Sequence, residues 1–227
     1  NALWHGLAFT DECNGGTDDR HVLDNVDISN TNYAAITAGS RGDGDPNGPS
    51  CGTPSQDCNV GEFVMSEMNF DNVESAFSHG SGQGTEVSVA GFSVNNGRDA
   101  CFNFAKNTIA TLSGTPSQPS TMTGCNTNQK AWGGAVVNTP GSSGGSLTVV
   151  NVDIVDSYIN LISVDLKDVT ISNVDATMST PSMNSGANLA LSYGASGTAD
   201  VNDFSAPDYD HGWIYASGQL SLTNADL

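Results

Sequence analysis

The residues whose types and spacing best suit chemistry lie late in the sequence, at Asp208, Asp210 and His211. Two neighbouring carboxylates can divide the general acid and general base roles in glycoside hydrolysis. A simpler interpretation is that Asp208 fills the last position of a sequence repeat, while Asp210 and His211 continue the same turn. We therefore predict that the chain has no catalytic residues. If it is an enzyme, these three residues are the candidates.

Aromatic residues are interleaved with these acidic side chains, at Tyr209, Trp213 and Tyr215. Aromatic side chains commonly line ligand sites, and Trp213 beside two carboxylates is a natural platform for a sugar ring. These three are the predicted ligand-binding residues, with a glycan as the ligand. Converging carboxylates and aromatic rings in one groove would favour this interpretation, and side chains that point apart would disfavour it.

A polysaccharide lyase needs a basic residue to remove a proton, and usually a cation to neutralise the uronate carboxylate. The chain has only 6 Lys and Arg against 25 Asp and Glu, and the basic residues share no position in the repeat. A formal net charge of −19 would also repel an acidic polysaccharide. Lyase activity is therefore disfavoured.

Two oxygen-rich segments are the candidates for a metal site. The pairs Asp18 with Asp19 and Asp43 with Asp45 are flanked by glycine, and carboxylate oxygens are the ligands that calcium prefers. Neither spacing fits an EF-hand loop, and the four histidines are scattered without a zinc signature. We predict no cofactor, with calcium at these aspartates as the one metal to consider.

Five cysteines indicate an oxidising compartment. Cys51 and Cys58 lie in one Gly- and Pro-rich insertion, where a disulfide would close a short loop. A second disulfide between Cys101 and Cys125 would fasten the next long insertion to the scaffold. Cys13 is left over, as a buried thiol or as a partner to a cysteine elsewhere. The predicted localisation is extracellular or at the cell surface.

The charge balance excludes some partners. With 6 Lys and Arg in 227 residues, the chain has too few cations to neutralise nucleic-acid phosphates. Anionic membrane surfaces are disfavoured for the same reason, and no segment approaches the ~20 apolar residues that a membrane span needs. We predict neither nucleic-acid binding nor membrane insertion.

A repeated pattern must position these side chains. The pattern is an apolar residue, two polar residues, then two apolar residues at alternate positions, and finally Asn or Asp. Its copies are Trp4–Asp11, Leu23–Asn30, Met65–Asn72, Val89–Asn96, Val149–Asp156, Leu166–Asn173, Val201–Asp208 and the shorter Leu222–Leu227. Alternation of this kind is typical of short half-buried strands, and fixed-period repeats indicate units that bury their apolar faces by stacking.

The repeat runs through the whole chain, so we predict one domain over residues 1–227. Each unit is expected to be a strand, an Asn-centred corner and a second strand, because Asn tolerates the left-handed backbone conformation. Long loop insertions are predicted at 39–61 and at 105–145. The second interval is either one excursion or contains a degenerate repeat at 131–138. No segment has a helical period.

The registered copies, with Val26-Asp27-Ile28-Ser29-Asn30 and Val169-Thr170-Ile171-Ser172-Asn173 as the clearest, resemble right-handed parallel β-helix proteins of the pectin-lyase-like superfamily. The resemblance implies an all-β, single-stranded right-handed parallel β-helix. That superfamily includes polysaccharide lyases and hydrolases, phage tailspikes, adhesins and large surface proteins. Its glycosidases group several Asp residues on neighbouring turns, whereas this chain has Val169, Thr170 and Ile171 at the equivalent positions.

These observations predict a non-catalytic structural or adhesive module, either at the cell surface or in a filament. Both ends of the sequence fall within the repeat, without a polar cap. The module is therefore expected to form homo-oligomers by end-to-end stacking, or to continue in further repeats of the same chain. The alternative function is a carbohydrate-binding or polysaccharide-degrading protein.

Overall fold

The structure is a computed structural model that describes residues 6–9, 20–38, 61–79, 85–105, 107–129, 133–138, 144–158, 161–179, 186–191, 197–209, 211–216 and 218–226. These residues form strands and connections, and none of them is helical. The strands are β1 (Leu7–Phe9), β2 (Arg20–Asp24), β3 (Asp27–Ser29), β4 (Ile36–Ala38), β5 (Glu62–Asp71), β6 (Phe77–His79), β7 (Glu86–Asn95), β8 (Phe102–Phe104), β9 (Ile109–Ser113), β10 (Ser120–Thr123), β11 (Val136–Asn138), β12 (Ser146–Val155), β13 (Ile162–Val164), β14 (Asp168–Thr177), β15 (Gly186–Leu191), β16 (Thr198–Ser205), β17 (His211–Ala216) and β18 (Gln219–Asp226).

The strands belong to two sheets, and every pairing between them is parallel. One sheet has eight strands in the order β1-β4-β6-β8-β11-β13-β15-β17. The other has ten, in the order β18-β16-β14-β12-β10-β7-β5-β2, with β3 beside β5 and β9 between β7 and β12. The chain passes from one sheet to the other and back, so each pass adds one layer to both sheets.

The long strands β5, β7, β12, β14 and β16 of the ten-stranded sheet have buried residues at alternate positions, with one change of phase. In β5, Phe63 and Met65 are buried before the change, and Met68 and Phe70 are buried after it. Glu67 lies between the two pairs with a φ of 51°. Because side chains alternate with a period of two, this left-handed residue returns the second pair to the core.

The same left-handed position recurs in the other layers of this sheet. Strand pairing aligns Asn25, Glu67, Gly91, Asn151, Asn173, Asp203 and Asn224 in one column, all with positive φ. A second left-handed position ends the strands, at Asn30, Asn72, Asn96 and Asp156. Asn and Asp adopt this conformation more readily than other non-glycine residues, which explains why both columns are rich in them.

One apolar core joins the two sheets. The ring of Phe63 in the ten-stranded sheet lies 5.5 Å from that of Phe77 in the eight-stranded sheet. The rings of Phe92 and Phe102 make a similar contact at 5.1 Å. Buried residues continue through the layers as far as Tyr209. Each layer therefore buries its apolar side chains against the layers on either side.

The predicted fold class is correct in being all-β, but the prediction of a single-stranded right-handed parallel β-helix is wrong. The described strands divide into two parallel sheets of eight and ten strands. The physical reason is that each pass contributes strands to both sheets, and the strands of each sheet pair with their equivalents in the neighbouring layers. The right-handedness in that prediction was implied by the resemblance alone, and not by the residue pattern.

The predicted repeat boundaries also need correction. Asn173 pairs with Asn151, so it occupies the left-handed position inside a strand, and not the strand end that Asn30 occupies. The copy at Leu166–Asn173 is therefore out of register with the others. The copy at Trp4–Asp11 is misplaced too, because Leu7 pairs with Ile36 in the eight-stranded sheet.

The two predicted insertions differ in outcome. The interval 105–145 is not one excursion, because it contains β9, β10 and β11. Of these, only β11 falls in the degenerate repeat anticipated at 131–138. Most of the insertion at 39–61 lies outside the described residues.

Candidate functional site

Of the predicted catalytic and ligand-binding residues, those that the structure describes lie in β17 and in the connection that precedes it. Asp208 is exposed in the connection between β16 and β17. Tyr209 follows it but is only 7% exposed and packs in the core. Burial raises the pKa of the Tyr209 phenol. The Tyr209 ring is therefore part of the apolar core.

The other predicted residues of this group are only partly described. Tyr215, in β17, is 45% exposed, whereas Tyr209 is buried, so these two tyrosines do not share a surface. His211 and Trp213 also lie in β17, but their side chains are outside the described part of the structure. Asp210 lies outside it entirely. Asp208 and Tyr215 are thus both placed at the surface of the described structure.

The candidate calcium ligands Asp18, Asp19, Asp43 and Asp45 lie outside the described residues, and so do Cys13, Cys51 and Cys58. Within the described ranges, no group of three or more His, Cys, Asp or Glu side chains could hold a metal ion. No helix in those ranges is long and apolar enough to cross a membrane.

Cys101 and Cys125 form a disulfide, at the place where the sequence predicts one. Their Cα atoms are 5.4 Å apart, and 24 residues separate them in the chain. Both cysteines are fully buried. The bond fastens the start of β8 to the end of β10, and so links the eight-stranded sheet to the ten-stranded sheet.

The sequence analysis did not identify one buried histidine, because no motif in the neighbouring residues indicates its burial. The His79 side chain is 1% exposed. Its Nε2 lies 3.4 Å from the Thr85 hydroxyl and its Nδ1 lies 3.4 Å from the Thr108 hydroxyl. Since Thr108 donates to the Ala105 carbonyl, the neutral ring fits with Nδ1 as donor to Thr108 and Nε2 as acceptor from Thr85. Burial lowers the pKa of His79 to about 4.

Strand pairing also creates ordered columns of polar residues on the outer face of the ten-stranded sheet. Ser88, Thr111, Thr148 and Thr170 occupy one column in successive layers. In another column Asp153 pairs with Asp175, and desolvation together with the charge of Asp175 raises the pKa of Asp153. These alignments depend on register, so the sequence alone did not reveal them.

The least expected feature is apolar exposure in β18. Leu220 and Leu222 are 40% and 47% exposed, yet they pair with Ala199 and Val201, which are each only 1% exposed. The leucines therefore occupy core columns and lack a covering layer among the described residues. The repeat at Leu222–Leu227 already indicated apolar residues at core positions, since its apolar residues continue the pattern of the earlier repeats.

Comparisons with protein-family models, with curated proteins and with solved structures find no match to this chain. The resemblance seen in the repeat thus gains no support from those comparisons. Function must be inferred from the geometry of the described residues.

Proposed function

We propose that this chain is a non-catalytic structural or adhesive module that works at the cell surface or in the extracellular space. The observation that carries the proposal is the uninterrupted parallel pairing from β2 to β18, with one apolar core beneath it. Such an arrangement is rigid, because continuous ladders of backbone hydrogen bonds fix each strand between its neighbours. It suits a protein that bears load or presents a surface.

Side-chain ladders reinforce this scaffold. Asn72 donates from Nδ2 to Oδ1 of Asn30 at 2.8 Å, and Asn173 donates likewise to Asn151 at 2.8 Å. Each bond joins one layer to the next at a left-handed position, where the strand path bends. The Cys101–Cys125 disulfide adds a covalent link between the sheets, and it favours an oxidising compartment.

The outer face of the ten-stranded sheet is the proposed contact surface. It carries the Ser88, Thr111, Thr148 and Thr170 column at a layer spacing of roughly 4.8 Å. Hydroxyl groups both donate and accept hydrogen bonds, so this column offers an ordered polar surface. The burial of Tyr209 weakens the alternative of a sugar-cleaving groove beside Asp208.

A glycan screen tests the absence of catalysis. The purified chain would be incubated with neutral and acidic polysaccharides, and released products would be measured by chromatography, with Asp208→Asn as the matched variant. We expect no product from either protein. Product formed by the native chain and abolished in Asp208→Asn would overturn the proposal.

Hydrogen exchange measured by mass spectrometry tests the rigid scaffold. We expect the slowest exchange in β5, β7, β12 and β14, which have paired strands on both sides, and faster exchange in β18. Uniformly fast exchange across both sheets would contradict a load-bearing role.

A further inference from the structure

We infer that the exposed layer formed by β17 and β18 binds the layer formed by β1, β2 and β3 of a second copy, head to tail and in register. The inference deepens the proposed structural role and rests on it. It identifies the partner as this same chain and specifies which residues meet.

The first step is that each sheet ends, on both sides, in a strand with one edge that pairs with no other described strand. In the described part of the chain, β17 ends the eight-stranded sheet and β18 ends the ten-stranded sheet, while β1 and β2 end them on the opposite side. An unpaired edge presents backbone donors and acceptors that can pair with another strand. Because all strand pairs are parallel, one copy placed above another by one layer spacing continues both ladders without a change of direction.

The second step is that the apolar columns continue across such a junction. The column of Leu222 runs through Val201, Ile171, Val149, Leu112, Val89 and Met65 to Leu23. In the other sheet, the column of Ile214 runs through Leu189, Ile162, Val136, Phe102, Phe77 and Ile36 to Leu7. Stacking in register therefore places Leu222 on Leu23 and Ile214 on Leu7, and it covers the 47% exposure of Leu222.

The third step is the direction of the side-chain ladder. In the column of left-handed residues, the later layer donates to the earlier one: Asn173 Nδ2 to Asn151 Oδ1, and Asn224 Nδ2 to Asp203 Oδ1, both at 2.8 Å. Asn224 thus turns its acceptor oxygen toward the next layer. In the stacked pair that layer begins with Asn25, whose amide nitrogen can donate to it.

The fourth step concerns charge, which opposes stacking. The register brings Asp226 of one copy beside Asp27 of the next, and each copy carries a net charge of −19. Screening shortens the range of repulsion from about 10 Å at 0.1 M salt to about 3 Å at 1 M. Association should therefore strengthen with added salt, as expected when apolar burial drives it.

This junction is heterologous, since two different surfaces meet and a second junction can always form. One pair of variants separates this arrangement from a symmetric dimer. Leu222→Lys places a charge in the junction from one side and Leu23→Lys places one there from the other. Each variant alone lacks one working surface, but a mixture retains one good junction per pair.

Sedimentation velocity at high salt tests this arrangement over a range of protein concentrations. We expect the native chain to form a concentration-dependent series, and each variant alone to be monomeric with at least a tenfold weaker association. An equimolar mixture should give a dimer and nothing larger. Ser221→Lys is the matched control, because it adds the same charge to β18 on the outer face and should associate like the native chain.

The outcomes that overturn the inference are distinct from those that overturn the structural role. If the native chain stays monomeric at every salt and protein concentration, the stacking is contradicted but the structural role is not. The same holds if the chain assembles and Leu222→Lys leaves assembly unchanged. Dimers of Leu23→Lys by itself would show a symmetric junction instead. Thermal unfolding verifies that each variant is folded, and Leu23→Gln replaces Leu23→Lys if the charge prevents folding.

Discussion

At the scale of single residues, the left-handed backbone positions explain how each strand keeps its apolar side chains inward on both sides of a bend. The repeat contains this information as two adjacent polar residues, such as Asp24 and Asn25, which break the strict alternation. Sequence analysis recognised the left-handed Asn at strand ends but missed the one inside the strand. Both positions favour the same residue types, so only the pairing of strands distinguishes them.

Substitution inside that column tests its energetic role. Asn173 has a φ of 52°, and a β-branched residue there is strained by about 1–3 kcal/mol. We expect Asn173→Val to lower the free energy of unfolding in urea by that amount, and Asn173→Gly to lower it much less. Ser172→Val is the control on the same strand with an ordinary backbone. Equal stability of the two valine variants would contradict the account.

The buried His79 predicts a dependence of stability on pH. Its pKa is about 4 in the folded chain and about 6.5 when unfolded, so the unfolded state binds more protons between these values. The contribution of neutral His79 to the free energy of unfolding is therefore complete above pH 6.5. It is lost as the pH falls toward 4, by up to about 3 kcal/mol. Urea unfolding of the native chain and of His79→Gln, compared from pH 7 to 4.5, should show their stabilities converging at low pH. A difference in unfolding free energy between the two proteins that stays constant with pH would exclude a lowered pKa for His79.

At the scale of elements, the sequence predicted the strands of the regular repeats but misplaced several boundaries. β9 and β10 were not predicted, because the connection at 114–119 interrupts their repeat where the other layers have a single left-handed residue. β1 was assigned to the wrong element, since a three-residue strand carries too little alternation to distinguish the two sheets. Of the predicted ligand-binding residues, Tyr209 packs in the core, and composition cannot distinguish an aromatic ring used in this way from one that binds a ligand.

The disulfide is the element-scale feature with the clearest expected effect. Closing a loop of 24 residues restricts the unfolded chain and contributes about 3 kcal/mol. We expect the double variant Cys101→Ala/Cys125→Ala to lose about that much unfolding free energy in urea. The native chain under reducing conditions should lose a similar amount. Unchanged stability in both measurements would show that the bond does not fasten the sheets.

At the scale of the whole molecule, an apolar core that reaches the exposed leucines of β18 is combined with a net charge of −19. In the proposed assembly, burial of the core favours addition of another layer, and the charge sets the salt concentration at which addition occurs. Sequence analysis anticipated stacking from the repeat. It could not supply the register of the junction, because that register follows from the pairing of every layer between β2 and β18.

Charge at the junction gives a prediction at this scale. Asp226→Asn removes one of two carboxylates that stacking brings together, so we expect it to strengthen association severalfold at low salt and to have little effect at 1 M salt. Asp200→Asn removes the same charge from the preceding layer, where Asp200 pairs with Ser221, and it should have a smaller effect. Equal effects of the two variants in sedimentation would mean that only net charge matters.

Cross-linking between copies tests the stacked register most directly. Stacking places Ser221 beside Val22 at roughly 4.8 Å between strands, which lies within the Cα separation that a disulfide can bridge. We predict that Ser221→Cys/Val22→Cys forms a ladder of oxidised multimers on a non-reducing gel, whereas Ser221→Cys/Asp24→Cys, displaced by two residues, does not. Equal cross-linking of both variants, or of neither at salt concentrations where the native chain associates, would contradict it.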